Sequence, residues 1–262
     1  QVTELLTNYG KIDILWFDFS YTNKDPKFPD WMEGKGRNDW ESEELIKTAR
    51  ALQPDIIIDN RSDMEQDLWT PEQYQMLEWV KHKETGELVT WEACQTFSGS
   101  WGYNRDQHTW KTSRMIIEAL IRTVSFGGNL LMNVGPTARG TFDERATERL
   151  EAIGKWMRLN SRSIYGCGKA GIEKPDYGRV TRNGNKLYFH IYENTLGPLP
   201  LMGLKKDQIQ SIRALATGAE IPISTSWVHS DYPEIVFAYL GENPVLPDGV
   251  DTVIEVTLKE DT

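Results

Sequence analysis

The chain has 262 residues, of which 39% are hydrophobic and 26% are charged, and its formal net charge at pH 7 is −10. A chain of this length can bury one substantial hydrophobic core and a smaller second one. Because a phosphate-binding surface needs clustered Lys and Arg, the acidic balance and the lack of such a cluster argue against nucleic acid or an anionic membrane as a partner. No apolar run approaches the roughly 18 residues that a membrane helix requires.

The first two thirds of the chain alternate apolar, strand-like runs with amphipathic stretches. The runs predict strands at 12–17, 55–59, 88–91 and 129–134. The amphipathic stretches predict helices at 41–52, 71–81, 110–125 and 142–159, the last opened by a capping box of Thr141 and Glu144. Strands that alternate with helices are typical of a parallel sheet, either open or closed into a barrel.

The pattern changes after Tyr165 to glycine, proline and short alternating strands. The pair Asn183-Gly184 predicts a tight hairpin before an alternating strand at 186–192. Further strands are predicted at 209–217, 234–239 and 251–258. We therefore predict a β/α domain over residues 1–167 and a small antiparallel β-sandwich over residues 168–262.

The two cysteines, Cys94 and Cys167, give neither a disulfide framework nor metal-ligand spacing. Each follows an apolar or aromatic stretch, where a buried free thiol is the usual interpretation. The four histidines match no motif. The sequence therefore predicts no metal site and no cofactor.

Polar side chains with chemical capability follow the predicted parallel strands. They are Asp18, Asp59, Asn60, Arg61, Glu92 and Asn133. Ligands bind at the carboxyl ends of parallel strands, so these side chains are expected to share a face. A single Asp or Asn there more often caps the next helix. Several together, without a Ser-His pair or a phosphate loop, indicate the paired carboxylates of glycosidic bond cleavage.

Five stretches resemble, in order and spacing, motifs of the α-L-fucosidase family of glycoside hydrolases. They are IDILWFD (12–18), DIIIDNR (55–61), DLWTPEQY (67–74), TWEACQTFSGSWGYNR (90–105) and GGNLLMNVGPTARG (127–140). The resemblance continues through 148–166 and fades in the residues that follow. It implies a retaining enzyme that releases terminal α-L-fucosyl groups from a fucosylated oligosaccharide or glycoconjugate without a cofactor.

The resemblance also implies roles for the carboxylates. Asp18 corresponds to the nucleophile and Glu72 to the general acid/base, with Glu92 as the second choice for the acid/base. A carboxylate near the anomeric carbon suits an oxocarbenium-like transition state, and an acid needs a raised pKa, which apolar neighbours provide. The ordinary alternative for Glu72 is a place in the first turn of a helix.

A second group of residues is predicted to contact the sugar. The aromatic members are Trp16, Trp101 and Tyr103. Their flat faces suit the apolar side of a sugar, and core packing explains each of them equally well. Arg61 is expected to hydrogen-bond the sugar ring, and its alternative is a salt bridge with Asp59 or Asp63. Glu92 is expected in the site in either role.

The barrel-like part is shorter than a complete barrel. A full (β/α)₈ barrel needs about 250 residues, so residues 1–167 predict a truncated TIM-type β/α barrel ahead of the sandwich. Because half a barrel leaves a sheet edge uncovered, we expect a homo-oligomer in which a neighbouring subunit completes the barrel. The rival hypothesis is that the sequence is a portion of a longer enzyme.

Other functions stay open at this point. A related retaining enzyme would accept an α-L-galactoside, which needs room for a hydroxyl where fucose has its methyl group. A non-catalytic carbohydrate-binding remnant would keep the aromatic residues without needing both carboxylates. A purely structural scaffold explains neither the carboxylates nor the arginine. The sequence does not choose a compartment, although family members are often periplasmic, extracellular or lysosomal.

Overall fold

The structure is a computed structural model that describes residues 1–18, 35–83, 85–194, 196–242 and 245–259. The chain divides into two compact units. The N-terminal unit comprises residues 1–72 and 78–93, and the C-terminal unit comprises residues 73–77 and 94–262. Within the described ranges, no helix is both long and apolar enough to span a membrane.

Short parallel strands organise the N-terminal unit. Its elements are α1 (Val2–Asn8), β1 (Ile14–Leu15), α2 (Ser42–Leu52), β2 (Ile57–Ile58), β3 (Leu68–Trp69) and the first part of β4 (Thr90–Thr96). β1 pairs in parallel with β2, and β3 pairs in parallel with β4. A parallel bridge between Asp59 and Leu68 joins the two pairs. The parallel arrangement predicted from alternating strands and helices is thus confirmed for these strands.

One face of these strands is buried against the helices. The core contains Leu6 of α1, Ile46 and Ala49 of α2, Leu15 and Ile58. Ile46 and Ala49 are three residues apart, which places them on the same face of α2. Since successive side chains of a strand alternate between faces, the neighbouring residues of β1 and β2 point away from this core.

The C-terminal unit starts with the end of β4 and continues through helices to antiparallel sheets. Its elements are α3 (Ser113–Ser125), β5 (Gly128–Asn133), α4 (Glu144–Asn160), β6 (Gly168–Lys169), β7 (Gly178–Asn183), β8 (Lys186–Ile191), β9 (Leu199–Leu201), β10 (Ile209–Ala214), α5 (Val228–Asp231), β11 (Val236–Ala238) and β12 (Thr252–Leu258). β5 neighbours β4. One sheet has the order β10-β12-β8-β7-β6, and a second pairs β9 with β11.

The antiparallel strands share one core, as the two sheets of a sandwich do. Phe189 and Ile254 of the larger sheet belong to the same buried cluster as Leu199 and Val236 of the smaller one. On its other face, the larger sheet packs against α3 and α4, whose residues form a second cluster with Tyr188 and Val253. The sandwich-like arrangement follows from strands with apolar residues on both faces.

The predicted hairpin is confirmed with a shift of one residue. β7 and β8 pair in antiparallel fashion, and their last partners are Asn183 and Lys186. The two residues at the tip are therefore Gly184 and Asn185. Gly184 has a φ of 57°, a left-handed conformation that glycine adopts without steric cost.

Two local predictions are wrong. Residues 71–81 form no helix, because Gln73 has a φ of 60° and its N–H donates to the carbonyl of Cys94 in β4 at 2.9 Å. The N-cap of α4 is Asp143, whose side chain accepts from Arg145 N, and not Thr141. Asp143 is one of the residues preferred at this position, and it lies directly before the first helical residue.

Candidate active site

Asp18 lies just beyond the end of β1, and its carboxylate is partly open to solvent, with 48% of the side chain exposed. The Nη1 atom of Arg61 donates a hydrogen bond to Asp18 Oδ1 at 3.0 Å. Arg61 is three residues beyond β2, the strand that pairs with β1. Parallel pairing therefore carries both side chains to the same end of the sheet.

Arg61 also contacts the second predicted catalytic carboxylate. Its Nη1 atom is 2.7 Å from Glu72 Oε2, and its guanidinium lies over the ring of Trp16, 4.4 Å from the centroid. Only 17% of the Arg61 side chain is exposed. A largely enclosed guanidinium between two carboxylates and an indole face makes charge-assisted hydrogen bonds that hold both carboxylates in place.

The shared arginine limits the separation of the two carboxylates. Asp18 Oδ1 lies 3.0 Å and Glu72 Oε2 lies 2.7 Å from the same nitrogen, so the two oxygens cannot be further apart than the sum of these distances. Retaining glycosidases place their carboxyl groups about 5–5.5 Å apart, and inverting ones about 6.5–9.5 Å apart. The observed geometry is compatible with the retaining range and too short for the inverting one.

Asn60 and Thr70 hold the Arg61 guanidinium in place through a chain of hydrogen bonds. Arg61 Nε donates to Thr70 Oγ1 at 2.9 Å, and Nη2 donates to the Thr70 carbonyl at 3.3 Å. Thr70 in turn donates from its N–H and its hydroxyl to Asn60 Oδ1, each at 3.0 Å. The sequence pattern did not single out Thr70, although its place two residues before Glu72 was the available signal.

Asp59 joins the nucleophile segment to the arginine segment. It is fully buried, and its Oδ1 accepts the N–H of Phe17 at 3.1 Å and the N–H of Arg61 at 3.4 Å. Its Oδ2 has no hydrogen-bond partner among the described residues. Burial raises the pKa of Asp59 to about 6, and the two N–H donors oppose the rise. Asp59 is thus a buried support for the residues on either side of it.

Glu92 lies inside β4 and not beyond its end, which corrects the prediction that a strand stops before it. Its side chain is half-buried. Burial raises the pKa of Glu92, and Trp16 opposes the rise through a contact of its indole N–H that falls short of full hydrogen-bond geometry. Trp16 therefore touches the Arg61 guanidinium and also influences the second candidate acid.

Trp101 and Tyr103 belong to the C-terminal unit, where each is 41% exposed. Asn133, the last residue of β5, donates from Nδ2 to the Trp101 carbonyl at 2.6 Å. Gly135 packs so closely that a Cβ there would lie 2.6 Å from backbone atoms of Gly102 and Tyr103. The loop is held at the end of β5, and its contact with a sugar stays a prediction.

A family model described as Alpha-L-fucosidase matches residues 1–162. The chain belongs to the α-L-fucosidase family. The resemblance found in the motifs is thereby confirmed. The match covers all of the residues Trp16, Asp18, Arg61, Glu72 and Glu92, whose individual roles it does not assign.

Known fucosidases resemble the chain over nearly its whole length. An α-L-fucosidase of Dictyostelium discoideum is 27% identical over 271 residues, covering 91% of this chain. The solved α-L-fucosidase isoenzyme 1 from Paenibacillus thiaminolyticus is 41% identical, with a TM-score of 0.87 over 99% of this chain. A GH29 α-L-fucosidase from Bacteroides thetaiotaomicron, solved as a trapped covalent intermediate, is 26% identical with a TM-score of 0.75 over 99% of this chain.

The chain is shorter than these fucosidases. It spans 54% of the Dictyostelium protein, 61% of the Paenibacillus chain and 60% of the Bacteroides chain. The similarity to the Paenibacillus fucosidase covers both the parallel and the antiparallel strands of this chain. It therefore agrees with the mixed sheets described above. Among the described residues, no three or more His, Cys, Asp or Glu side chains are grouped to hold a metal ion.

The buried carboxylate of Asp59 gives a prediction about stability and pH. A carboxyl whose pKa is raised by folding destabilises the folded state when it ionises, so stability falls as pH rises from about 4 to about 6. Asn at this position keeps the oxygen that accepts from Phe17 and Arg61 but carries no charge. We expect Asp59→Asn to be more stable than wild type at pH 7.5 by up to roughly 3 kcal/mol.

Urea unfolding at several pH values checks this prediction. The difference between Asp59→Asn and wild type should shrink as pH falls from 7.5 to 4.5, because the wild-type carboxyl then becomes protonated in the folded state. Asp55→Asn is the matched control, since Asp55 is an exposed aspartate of the same segment. A difference between Asp59→Asn and wild type that stays constant with pH would contradict the argument.

The close approach at Gly135 gives a second prediction. Gly135→Ala must displace the backbone of the loop that carries Trp101 and Tyr103, because the new methyl group cannot avoid two backbone atoms. Overpacking of this kind costs about 1–3 kcal/mol. Thermal unfolding should show a lower Tm for Gly135→Ala. Gly102→Ala is the control, since a Cβ there meets nothing within 4 Å, and equal Tm values for the two variants would refute the contact.

Proposed function

We propose that this protein is a retaining α-L-fucosidase that removes terminal α-L-fucosyl groups from glycans by double displacement. The main observation in support is that one atom, Arg61 Nη1, contacts both Asp18 and Glu72. That contact supports a carboxylate separation of the retaining class. The named fucosidases that this chain resembles, one of them trapped as a covalent intermediate, support the same reaction.

Asp18 is proposed as the nucleophile and Glu72 as the general acid/base. In the first step, a carboxylate oxygen of Asp18 forms a bond to the anomeric carbon while the bond to the leaving oxygen breaks and Glu72 donates its proton to that oxygen. In the second step, Glu72 takes a proton from water, and the water oxygen replaces Asp18 at the anomeric carbon. Two inversions give net retention.

Arg61 is proposed to position the reacting groups. Its guanidinium orients Asp18 by a direct hydrogen bond. The hydrogen bonds from Arg61 to Thr70 and from Thr70 to Asn60 leave the guanidinium little freedom to move. The partly open Asp18 carboxylate is accessible to a substrate from solvent. Trp16 stacks against the same guanidinium and is half-buried, and we propose that it lines the sugar site together with Glu92.

The architecture that we propose for this chain follows from the parallel pairing of strands β1 to β4. We propose that these strands belong to a TIM-type β/α barrel, truncated in this sequence, with a catalytic domain of residues 1–167 and a sandwich domain of residues 168–262. Completion of the barrel by a neighbouring copy also stays a prediction. Light scattering that finds an active, folded monomer would contradict it.

The test is turnover of p-nitrophenyl α-L-fucoside with the anomeric configuration of the first-formed fucose followed by NMR. Release of α-L-fucose before mutarotation supports a retaining fucosidase, and initial release of β-L-fucose refutes the retaining mechanism. Faster turnover of the matched α-L-galactoside would reassign the sugar. A folded protein that binds fucose but turns over neither glycoside would replace the proposal with a carbohydrate-binding function.

A further inference from the structure

A cleft of about 390 Å³ lies within the C-terminal unit, and none of the residues of the proposed reaction lines it. Its walls come from α3, from the segment 174–177 and the start of β7, from the residues just after β8 and from Gln75. The volume falls within the range of small-molecule sites, about 300–1,000 Å³. The polar groups on its walls indicate the kind of ligand that it suits.

Two arginines, Arg122 and Arg179, line this cleft. Neither Arg122 of α3 nor Arg179 of β7 forms an ion pair within the part of the chain that the structure describes, and both side chains are half-buried. Burial, together with the charge of Arg122, lowers the pKa of Arg179. Half-buried cations are normally paired, so two that face one cleft create a demand for negative charge.

The cleft also contains buried hydrogen-bonding atoms of Arg122, Gln75 and Tyr192. Arg122 Nε, Gln75 Nε2 and Tyr192 Oη are buried, and none of the three has a hydrogen-bond partner among the described residues. The rest of each group is engaged, since Arg122 Nη2 donates to the Met76 carbonyl and Gln75 Oε1 accepts from Thr123. Buried polar atoms are satisfied in the great majority of cases, so this concentration points to an acceptor.

The acidic residues of the cleft limit the charge of that acceptor. Glu118 is engaged with Arg114, whose Nε lies 2.6 Å from its Oε1. Asp176 and Glu193 are exposed at the edge of the cleft. They would repel a doubly charged phosphate or sulfate more strongly than a single negative charge. A planar carboxylate also matches the fork of a guanidinium with two parallel hydrogen bonds.

We propose that this cleft binds a small molecule that bears one carboxylate, such as a sugar acid, with the carboxylate held by Arg122 and Arg179. Tyr192 and Gln75 supply further donors to the same ligand. The remaining volume accommodates the rest of a monosaccharide-sized molecule. The site is independent of the proposed hydrolysis, because it shares no residue with Asp18, Arg61 and Glu72.

Isothermal titration calorimetry of the full chain with D-glucuronate and D-glucose tests the proposal, since the two sugars differ at the carboxylate. We expect heat of binding for glucuronate and none for glucose. Arg179→Gln should weaken glucuronate binding by at least about tenfold, because a bidentate charge-assisted contact is lost. Arg213→Gln is the matched control, since Arg213 is an exposed arginine on β10 of the same sheet.

Arg122→Gln gives a second test if Arg179→Gln fails to fold, and circular dichroism decides whether each variant is folded. Equal binding of glucose and glucuronate by wild type would overturn the proposal. So would glucuronate binding that survives a folded arginine variant at wild-type strength. Sulfate that binds as tightly as glucuronate at matched ionic strength would overturn the carboxylate assignment, and a preference for glucuronate supports it.

Discussion

Asp18→Gly is expected to abolish release of p-nitrophenol from p-nitrophenyl α-L-fucoside, with a fall in kcat of roughly four orders of magnitude or more, because no covalent intermediate can form. Azide should restore turnover, since the lost carboxylate leaves room for a small anion beside the anomeric carbon. Azide would attack the α-fucoside directly, with one inversion. The product should therefore be β-L-fucosyl azide, identified by NMR.

The control for this experiment is Asp13→Gly. Asp13 is an exposed aspartate one residue before β1, paired with Lys11 on the surface, so its loss should leave turnover unchanged. Asp18→Gly removes one carboxylate contact of Arg61, and the contact with Glu72 should help to keep the guanidinium in place. Residual hydrolysis near the wild-type rate, or an α-configured azide product, would remove Asp18 from the nucleophile role.

Much of the fold follows from hydrophobic pattern alone. The strands around residues 14–15, 57–58 and 128–133 lie inside the predicted runs or within one residue of them, because short β-branched and apolar segments favour strands. β1 and β2 are shorter than their predicted runs, since only part of each run has a paired neighbour, whereas β5 has the predicted length. Helix α1 was not predicted, because seven residues give too few turns for a periodic signal.

Long-range contacts account for what the pattern could not predict. Pro71 and Glu72 have the composition of a helix start, yet the N–H of Gln73 donates to Cys94 of β4, which is 21 residues further along the chain. The same limit applies to the site. Asp18, Arg61 and Glu72 were predicted individually, whereas the convergence of both carboxylates on one nitrogen depends on the pairing of strands. Asn60 was predicted as a strand-end residue, whereas the role of Thr70 became visible only through that convergence.

Two observations favour different residues as the general acid/base. Glu72 shares Arg61 Nη1 with Asp18, which limits the distance between their contacting oxygens to a value compatible with the retaining range. Glu92 is half-buried with a raised pKa, a property that suits a proton donor. We give more weight to position, because a proton can be delivered only by a group within reach of the leaving oxygen.

Glu72→Gln is therefore expected to lower kcat/KM by about 10²–10⁴-fold on a fucosyl disaccharide, whose leaving oxygen needs a proton. The loss should be much smaller on p-nitrophenyl α-L-fucoside, because nitrophenolate leaves without protonation. With that activated substrate the covalent intermediate should accumulate, since no base activates water. Azide should then accelerate turnover and give α-L-fucosyl azide, the product of attack on the β-linked intermediate.

Glu92→Gln is the matched variant, identical in chemistry and placed on the neighbouring strand. If Glu92 only lines the site, loss of its carboxylate should lower kcat/KM by similar factors on the disaccharide and on the nitrophenyl fucoside. Azide should then not accelerate turnover. A substrate-dependent loss with an α-configured azide product in Glu92→Gln, and not in Glu72→Gln, would transfer the acid/base role. The raised pKa of Glu92 would then be the property that selects the acid, and the Arg61 contact would serve to hold Glu72 as a second support for Asp18.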